Sequence, residues 1–370
     1  MINTSYEKTC RELLEIADVQ INGDRPWDIQ VHNPAVYKRI LSQGSLGLGE
    51  SYMDNWWDCK AIDEFINKIL RAELDKQVRN ISHLFNILKL KLTNPQRRKS
   101  FEIGERHYDI GNDLFSFMLD KRMVYTCAYW KNAKNLDEAQ ENKLRLTCEK
   151  LKLKSGMRVL DIGCGWGSFL KYAAENYGIK GVGITVSKEQ VEFGKQLCKG
   201  FDIEIRYEDY EDVNEKFDRI VSLGMFEHVG YNNYIKYMKI VDKCLNENGL
   251  FLLHTIGTKN PRGGTDPWLN KYIFPKGFLP SLRQIIKTSE DLFILEDLHN
   301  LSINYDKTLL AWHNNFIKSL EKLKDKYSER FKRMWEFYLL LCAGAFRARN
   351  IQVWQIVFSK GRIRDYESVR

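Results

Sequence analysis

One stretch decides the fold of this 370-residue chain: Val159-Leu-Asp-Ile-Gly-Cys-Gly-Trp-Gly167. Together with Arg158, the apolar start of the stretch predicts a buried strand, and residues 169–177 predict the helix that follows. Glycines between a strand and a helix allow a tight turn and let the backbone approach a ligand closely at the edge of an open α/β sheet. We therefore predict a cofactor-binding loop. Its residues are Asp161, Gly163, Cys164, Gly165 and Gly167.

Strand and helix patterns alternate after this loop. Because strands that alternate with helices build parallel sheets, the pattern predicts a Rossmann-like, doubly wound α/β sheet of seven strands. A long helical pattern separates the last two strands and predicts a helical cap insertion. The predicted strands are 158–162, 180–185, 203–207, 217–223, 249–255, 293–301 and 351–358.

Charge divides the chain into three parts. Residues 1–74 hold 8 Lys and Arg against 12 Asp and Glu, a net charge of −4, whereas residues 75–100 hold 7 basic residues and one acid, a net charge of +6. We interpret 1–74 as a small, mainly helical N-terminal domain with a turn at its glycine-rich stretch 44–49. Residues 101–370 form the predicted catalytic domain. The segment 75–100 is a predicted basic amphipathic linker, either docked on a membrane surface or packed as a connector on the larger domain.

Composition limits the class of protein. The chain is 44% apolar and 29% charged with a net charge of +8, which is typical of a folded globular protein. Its apolar stretches fall short of the roughly 18–20 residues that span a bilayer, and the N-terminus shows no secretory pattern. The eight cysteines lack CxxC pairs, which favours reduced thiols. We expect a cytoplasmic protein with peripheral membrane contact, and a basic bias too thin for a nucleic-acid partner.

Several motifs carry a resemblance to a known family. The loop at 159–167 resembles the S-adenosylmethionine loop of class I methyltransferases, and Gly183-Ile-Thr-Val-Ser-Lys-Glu-Gln190 resembles the matching stretch of cyclopropane fatty acid synthases. Over nearly its whole length the chain resembles the bacterial two-domain cyclopropane-fatty-acyl-phospholipid synthases rather than the shorter mycolic acid enzymes. The other matching stretches are 44–54, 107–113, 125–130, 225–230, 254–257 and 342–349.

The resemblance implies a cofactor and the residues that bind it. The cofactor is S-adenosylmethionine, the methyl donor. Thr185 and Gln190 are implied to bind its ribose, where most such folds use an acid. Asp209 and Tyr210, after the third strand, are placed to meet the adenine. The rest of the implied set is Tyr125, Thr126 and Ser187, beside the glycine loop.

The acceptor chemistry makes demands of its own. An isolated alkene is a feeble nucleophile, so the sulfonium must be held in line and water excluded. Methyl transfer then leaves a carbocation, which closes a ring by losing a proton from the new methyl group to a base. The resemblance implies that this base is a bound bicarbonate. Its implied site consists of the Cys127 backbone, Glu227, His254 and Tyr305, lined by Cys342.

Position along the predicted sheet supports part of this set. Glu227 directly follows the fourth strand and His254 ends the fifth, so both lie toward the carboxyl edge where open α/β sheets bind ligands. Taken singly, His254 also fits a hydrogen-bonded core histidine and Cys342 a packing residue. A zinc site built from these residues and Cys127 is disfavoured because they lack short paired spacing, so no metal is expected.

The resemblance therefore predicts an enzyme that transfers a methylene group from S-adenosylmethionine to the cis double bond of an unsaturated phospholipid acyl chain. The expected partners are a phospholipid bilayer with unsaturated chains and a second copy of the chain in a homodimer. The alternatives are a methyltransferase that acts on another lipid or a small acceptor, and a non-catalytic lipid-binding relative.

Overall fold

The computed structural model describes residues 2–74, 112–259, 265–361 and 365–370. The chain divides into two compact units. Of the described residues, the helical unit comprises 2–74, 266–275 and 309–350, and the sheet unit comprises 112–259, 265, 276–308, 351–361 and 365–370. The predicted linker 75–100 lies outside the described residues.

Helices and strands are numbered along the described chain. The helices are α1 (Ile2–Ile16), α2 (Ala35–Gln43), α3 (Ser45–Met53), α4 (Ile62–Arg71), α5 (Asn112–Met118), α6 (Leu136–Lys150), α7 (Ser168–Tyr177), α8 (Lys188–Leu197), α9 (Tyr234–Cys244), α10 (Pro267–Tyr272), α11 (Leu282–Ser289), α12 (Ser302–Leu323) and α13 (Glu329–Arg347). The strands are β1 (Gln30–Val31), β2 (Trp57–Asp58), β3 (Arg158–Ile162), β4 (Lys180–Thr185), β5 (Ile203–Tyr207), β6 (Phe217–Leu223), β7 (Leu245–Thr258), β8 (Ile294–Asn300) and β9 (Ile351–Ser359).

The sheet unit is built on seven strands in the order β5-β4-β3-β6-β7-β9-β8. The strands from β5 to β7 are mutually parallel, and β9 is antiparallel to both of its neighbours. The prediction of a doubly wound, seven-stranded α/β sheet is therefore confirmed. Among the residues that the structure describes, no helix is long and apolar enough to cross a bilayer.

β3 is buried on both of its faces, which explains why Val159, Leu160 and Ile162 are all apolar. Val159 packs with α6 and α7, whereas Leu160 and Ile162, on the opposite face, pack with α9. Alternate side chains of a strand point to opposite faces, so one short strand serves two cores. This arrangement fixes the carboxyl end of β3, where the glycine loop begins.

The predicted turn at residues 44–49 is wrong, because most of this stretch belongs to helix α3. A Cβ atom on Gly49 would lie 2.4 Å from the indole of Trp268, and one on Gly47 would lie 2.4 Å from the carbonyl oxygen of Arg39. The glycines therefore allow close packing of a helix, and only Gly44 before it has a positive φ, of 59°. Trp57 is buried next to this helix, with its ring 5.5 Å from that of Phe65.

The predicted insertion is helical, but its later part belongs to the helical unit. Residues 309–350 were expected within a catalytic domain spanning 101–370. Helix α13 packs instead against α4, where a Cβ atom on Gly344 would lie 2.5 Å from the carbonyl oxygen of Asp63. Arg347 adds an ion pair with Asp63 at 2.7 Å. This close packing groups the insertion with the N-terminal residues.

Candidate active site at the carboxyl edge of the sheet

The glycine loop leaves β3 and enters α7. Gly163 and Gly167 have φ values of 79° and 83°, which favour glycine. A Cβ atom on Gly167 would lie 2.9 Å from Cys198 Sγ, so that glycine also allows the loop to pack on its support. Gly165, with φ of 55°, is different, because a Cβ atom there would meet nothing within 4 Å. The loop is thus open to a ligand at Gly165 and closed by packing at Gly167.

Asp161 lies on β3 just before the loop and is 2% exposed. Its Oδ1 atom has no hydrogen-bond partner among the described residues. Burial raises the pKa of this carboxyl to about 7, while the nearby Lys143 ammonium acts in the opposite direction. A buried acceptor without a donor is costly unless a ligand supplies the donor. Asp161 therefore fits a binding residue.

Thr185 and Gln190 come together at the carboxyl end of β4. The Thr185 hydroxyl and Gln190 Oε1 lie 2.7 Å apart in a hydrogen bond, and both side chains are buried. Ser187 has a structural role here. Its hydroxyl accepts a hydrogen bond from the backbone N–H of Gln190 at 3.3 Å and so caps the N-terminus of helix α8. Ribose binding by this group stays a prediction.

The loop that carries Asp209 and Tyr210 lies against the same strand end. The amide of Glu208 donates to the carbonyl oxygen of Thr185 at 3.1 Å. The ring of Tyr210 lies edge-on to Tyr237, with 5.2 Å between ring centroids. The predicted adenine and ribose residues thus belong to adjacent loops, and their contact with a nucleoside stays a prediction.

Tyr125 and Thr126 lie on an extended segment near the end of β6. A Cβ atom on Gly224, the residue after β6, would lie 2.9 Å from Thr126 Cγ2. The Tyr125 ring packs edge-on against Phe115 with 5.0 Å between centroids. The segment 125–127 therefore lies at the same sheet edge as the glycine loop, as the prediction of cofactor-binding residues requires.

Sequence reasoning missed two residues that hold this segment. Lys143 Nζ donates to Thr126 Oγ1 at 2.9 Å, and Gln140 Nε2 donates to the carbonyl oxygen of Thr126 at 2.9 Å. Both residues lie on α6 and are fully buried. The sequence does show a row of polar residues at helical spacing. A solvent-exposed helix face gives the same pattern, so the row does not by itself indicate buried polar residues. The row consists of Gln140, Lys143, Thr147 and Lys150.

Glu227 and His254 are buried polar residues at the carboxyl edge of the sheet. Glu227 Oε1 accepts from the amide of Ile256 at 2.6 Å, while its Oε2 atom and both ring nitrogens of His254 have no partner among the described residues. Burial raises the pKa of Glu227 to about 7. Burial, with the charges of Lys143 and Lys150, lowers the pKa of His254 well below its usual value, so its imidazole is neutral. Three buried polar atoms are thus ready to bind a ligand.

Cys127 and Tyr305 lie on neighbouring segments of the sheet unit. Cys127 Sγ donates to the carbonyl oxygens of Ala128 at 3.3 Å and Leu301 at 3.9 Å, and burial raises the pKa of this thiol. The amide of Ala128 donates to Thr308 Oγ1 at 3.2 Å, which lays the segment along the start of α12. Tyr305, 8% exposed, lies on the same turns of α12.

Cys342 belongs to the helical unit, on α13. It is buried, and burial raises the pKa of its thiol to about 12. A neutral thiol of this kind behaves as a small apolar group, which fits the packing alternative. Its predicted part in lining the site stays a prediction.

The sheet order, the glycine loop after the first strand of the sheet unit and the polar carboxyl edge define a methyltransferase fold of class I. Coclaurine N-methyltransferase bound to N-methylheliamine and SAH shares it, with a TM-score of 0.70 over 85% of this chain and 99% of that chain at 20% identity. Cyclopropane synthase MmaA2 from Mycobacterium tuberculosis matches with a TM-score of 0.67 and 30% identity over 72% of this chain and 100% of that chain.

The family follows from the sequence matches. The model of the family described as mycolic acid cyclopropane synthetase matches residues 95–356. The cyclopropane-fatty-acyl-phospholipid synthase of Escherichia coli K12 is 53% identical over 96% of this chain and 94% of its own length. The chain belongs to this cyclopropane synthase family. The predicted resemblance, and with it the enzyme class of methyltransferase, is confirmed.

Proposed function

We propose that this protein transfers a methylene group from S-adenosylmethionine to the cis double bond of an unsaturated phospholipid acyl chain and so forms a cyclopropane. The 53% identity to a protein named cyclopropane-fatty-acyl-phospholipid synthase supports this choice of substrate. The observation that carries the proposal is that Glu227 and His254, both buried at the edge that bears the glycine loop, have a carboxyl oxygen and two ring nitrogens without a partner among the described residues.

The residues of the loop fit S-adenosylmethionine. The unpartnered Oδ1 atom of Asp161 is an acceptor for the ammonium of its amino-acid end, and the open side of Gly165 leaves space for close approach. Thr185 and Gln190 offer hydroxyl and amide groups for a ribose. When bound, the sulfonium supplies an activated methyl group. A related mycolic acid cyclopropane synthase, CmaA1, has been solved in a complex with SAH and CTAB, which supports this ligand class.

The pair Glu227 and His254 fits bicarbonate. This ion carries one O–H donor and several acceptor oxygens. Glu227 Oε2 is an acceptor and a neutral His254 has one N–H donor, so the two side chains complement it, with the Cys127 backbone and Tyr305 as further proposed contacts. Bicarbonate would supply the base that takes the proton from the new methyl group. Glu227, Cys127 and Tyr305 would orient it beside the acceptor.

The lipid acceptor requires docking on a bilayer. Moving about ten methylenes from lipid into water would cost on the order of 8 kcal/mol, so the acyl chain must pass directly into the protein. The basic segment 75–100, with a net charge of +6, is proposed to provide reversible attachment to anionic lipid on the cytoplasmic side. We also propose a homodimer in which the helical unit helps to position the lipid.

Cells that express the protein provide the direct test. Gas chromatography with mass detection of the esterified fatty acids should reveal species that have gained one CH₂. Mild hydrogenation distinguishes the two products of this mass. It reduces the double bond of a methyl-branched alkene but leaves a cyclopropane unchanged. Methyl-branched products alone would favour the alternative of a methyltransferase acting on lipid. Unchanged fatty acids, from protein that is folded and present in quantity, would favour the non-catalytic relative.

Bicarbonate can be tested with purified enzyme on vesicles. Degassing in a carbonate-free buffer at fixed pH should lower turnover, and adding bicarbonate should restore it. Sodium chloride at equal ionic strength is the control, because added salt alone changes vesicle attachment. A rate that does not respond to carbonate would contradict the bicarbonate proposal. The base would then be a side chain, and His254 would be the first to test.

A further inference from the structure

Helix α6 carries a row of buried polar residues on the face that it presents to the sheet. Lys143 and Lys150 are both 0% exposed, although an isolated ammonium in a protein interior costs several kcal/mol in lost hydration. Lys150 forms an ion pair with the buried carboxylate of Asp297 at 3.0 Å. Arg370 binds the same carboxylate at 2.7 Å. Lys143 has no such salt bridge within 4 Å among the described residues, so its burial needs another explanation.

The direct contact of Lys143 is with the segment that carries predicted cofactor residues. Its Nζ atom donates to Thr126 Oγ1 at 2.9 Å, one turn from Gln140, which donates to the carbonyl oxygens of Thr126 and Val124. Helix α6 therefore holds Thr126 by both its side chain and its backbone. Thr126 in turn covers Gly224 at the end of β6.

Lys143 also acts through space on the carboxylate next to the glycine loop. Burial lowers the pKa of Lys143 to about 8, and the carboxylates of Asp120 and Asp161, with Cys127, raise it. The same ammonium opposes the burial that raises the pKa of Asp161. Asp161 shares with Val159 the face of β3 that packs with α6, and Lys143 is the buried lysine of α6 that acts on this acid.

We propose that Lys143 is a positioning residue for S-adenosylmethionine: its ammonium fixes Thr126 and stabilises the ionised form of Asp161, which then presents a carboxylate to the cationic amino-acid end of the cofactor. The inference rests on the proposed function for the identity of the cofactor. It adds a residue on α6 that does not itself touch the ligand.

The other titratable groups around Asp161 do not replace this charge. Cys164 and Cys198 are thiols whose pKa burial raises, so they are neutral. Tyr237 on α9 is likewise neutral, because burial raises its pKa. Burial raises the pKa of Asp120, which interacts with Lys143. A carboxyl is neutral or negative, so Asp120 cannot supply a positive charge. Among the described residues, Lys143 is the cation that acts on the pKa of Asp161, so removing it would shift Asp161 toward its protonated form.

The test is calorimetric titration of the full chain with S-adenosylmethionine between pH 5.5 and 7.5. This range lies below the region near pH 8 where an α-amino group titrates. Affinity of the unmodified protein should fall as the pH drops through the pKa of Asp161. Lys143→Met should raise the pKa of Asp161 and so move this loss to higher pH. A shift of one unit would lower the ionised fraction at pH 7 from about one half to about one tenth, so binding there should weaken about fivefold.

The matched control is Lys150→Met, which removes an equally buried lysine two turns along the same helix. It should lower stability but leave the affinity and its pH midpoint unchanged. Asp161→Asn should bind weakly and without this pH dependence, and adding Lys143→Met to it should have little further effect, as expected for two residues that act together.

Several results would overturn the inference. These are an unchanged affinity and pH midpoint in Lys143→Met, or an equal shift in Lys150→Met. If Lys143→Met does not fold, as judged by circular dichroism, a flat profile in the unmodified protein or full affinity in Asp161→Asn would overturn it instead. Failure of the unmodified protein to bind S-adenosylmethionine at any pH would contradict the proposed function itself.

Discussion

Two buried carboxylates, Glu50 in the helical unit and Glu227 in the sheet unit, differ in how fully they are hydrogen bonded. Glu50 accepts from Lys271 at 2.5 Å, from Tyr272 at 2.8 Å and from Arg39 at 2.6 Å. Burial alone would raise its pKa, but these bonds lower it to about 2. Glu227 accepts a hydrogen bond from the Ile256 amide through Oε1, its Oε2 atom has no partner in the described part of the chain, and burial raises its pKa to about 7.

The difference separates a structural acid from a functional one. An ionised carboxylate with three donors stabilises the packing of α2, α3 and α10 inside the helical unit. A carboxyl with an unused oxygen costs stability in the folded protein, and such a cost is typical of a binding site that awaits its ligand. Substitutions at the two positions should therefore have opposite consequences.

The largest expected effect is the loss of turnover in Glu227→Gln. The amide keeps the size of the side chain but loses the charged acceptor, so proton removal becomes inefficient while methyl transfer still occurs. We expect turnover on vesicles to fall by about 10²- to 10⁴-fold, the range for loss of a general base, with little change in affinity for S-adenosylmethionine. Methyl-branched alkenes should appear beside the cyclopropane.

Glu50→Gln is the control for this experiment and should retain turnover after correction for folded protein. Comparable losses of turnover in the two variants would break the distinction between the structural and the functional acid. Wild-type turnover in Glu227→Gln would contradict the proposal that Glu227 holds the bicarbonate base.

A second comparison uses two glycines of the sheet unit. Gly165, in the loop, and Gly156, before β3, both have a positive φ and no atom within 4 Å of an added Cβ. Gly165→Val and Gly156→Val should therefore lose similar stability, about 1–2 kcal/mol, from left-handed strain. Only Gly165→Val should lose affinity for S-adenosylmethionine, measured by calorimetry. Equal affinities in the two variants would show that the loop does not contact the cofactor.

The third prediction concerns stability at acid pH. Because the pKa of folded Glu50 is about 2 and lies below its ordinary value of 4.5, its stabilisation is present above pH 4.5 and is lost as the pH falls toward 2. At pH 7, Glu50→Gln should lower the free energy of unfolding by about 3 kcal/mol, since it leaves buried donors without their charged partner. Urea unfolding at several pH values measures this. A loss that stays constant down to pH 2 would contradict the linkage.

The smallest effect should have the opposite sign. The folded pKa of Glu227 is raised to about 7, so its contribution to stability is lost as the pH rises from 4.5 through 7. Glu227→Gln should therefore unfold at higher urea concentration than the unmodified protein at pH 8, and the gain should shrink as the pH falls toward 5. A destabilised variant at pH 8 would show that the free oxygen is satisfied in the folded protein.

Local sequence was sufficient for the sheet and its loop. The predicted strands 158–162, 180–185 and 203–207 have the observed bounds of β3, β4 and β5. Each is short and shows either an apolar run or an alternation of apolar and polar residues, so neighbours along the chain contain the needed information. The positions of Glu227 and His254 at the carboxyl edge follow from the same strand pattern.

Only the tertiary structure decided the features that depend on distant residues. Glycines at 47 and 49 indicate a turn by composition, yet both lie in helix α3, and Trp268, far along the chain, packs against Gly49. Lys143 appears in the sequence as an ordinary helical lysine, and its burial beside Thr126 exists only after α6 packs on the sheet. Sequence by itself thus determined the parallel strands, the glycine loop and the family. Packing decided which polar atoms are satisfied, because a hydrogen-bond partner distant in sequence leaves no local pattern.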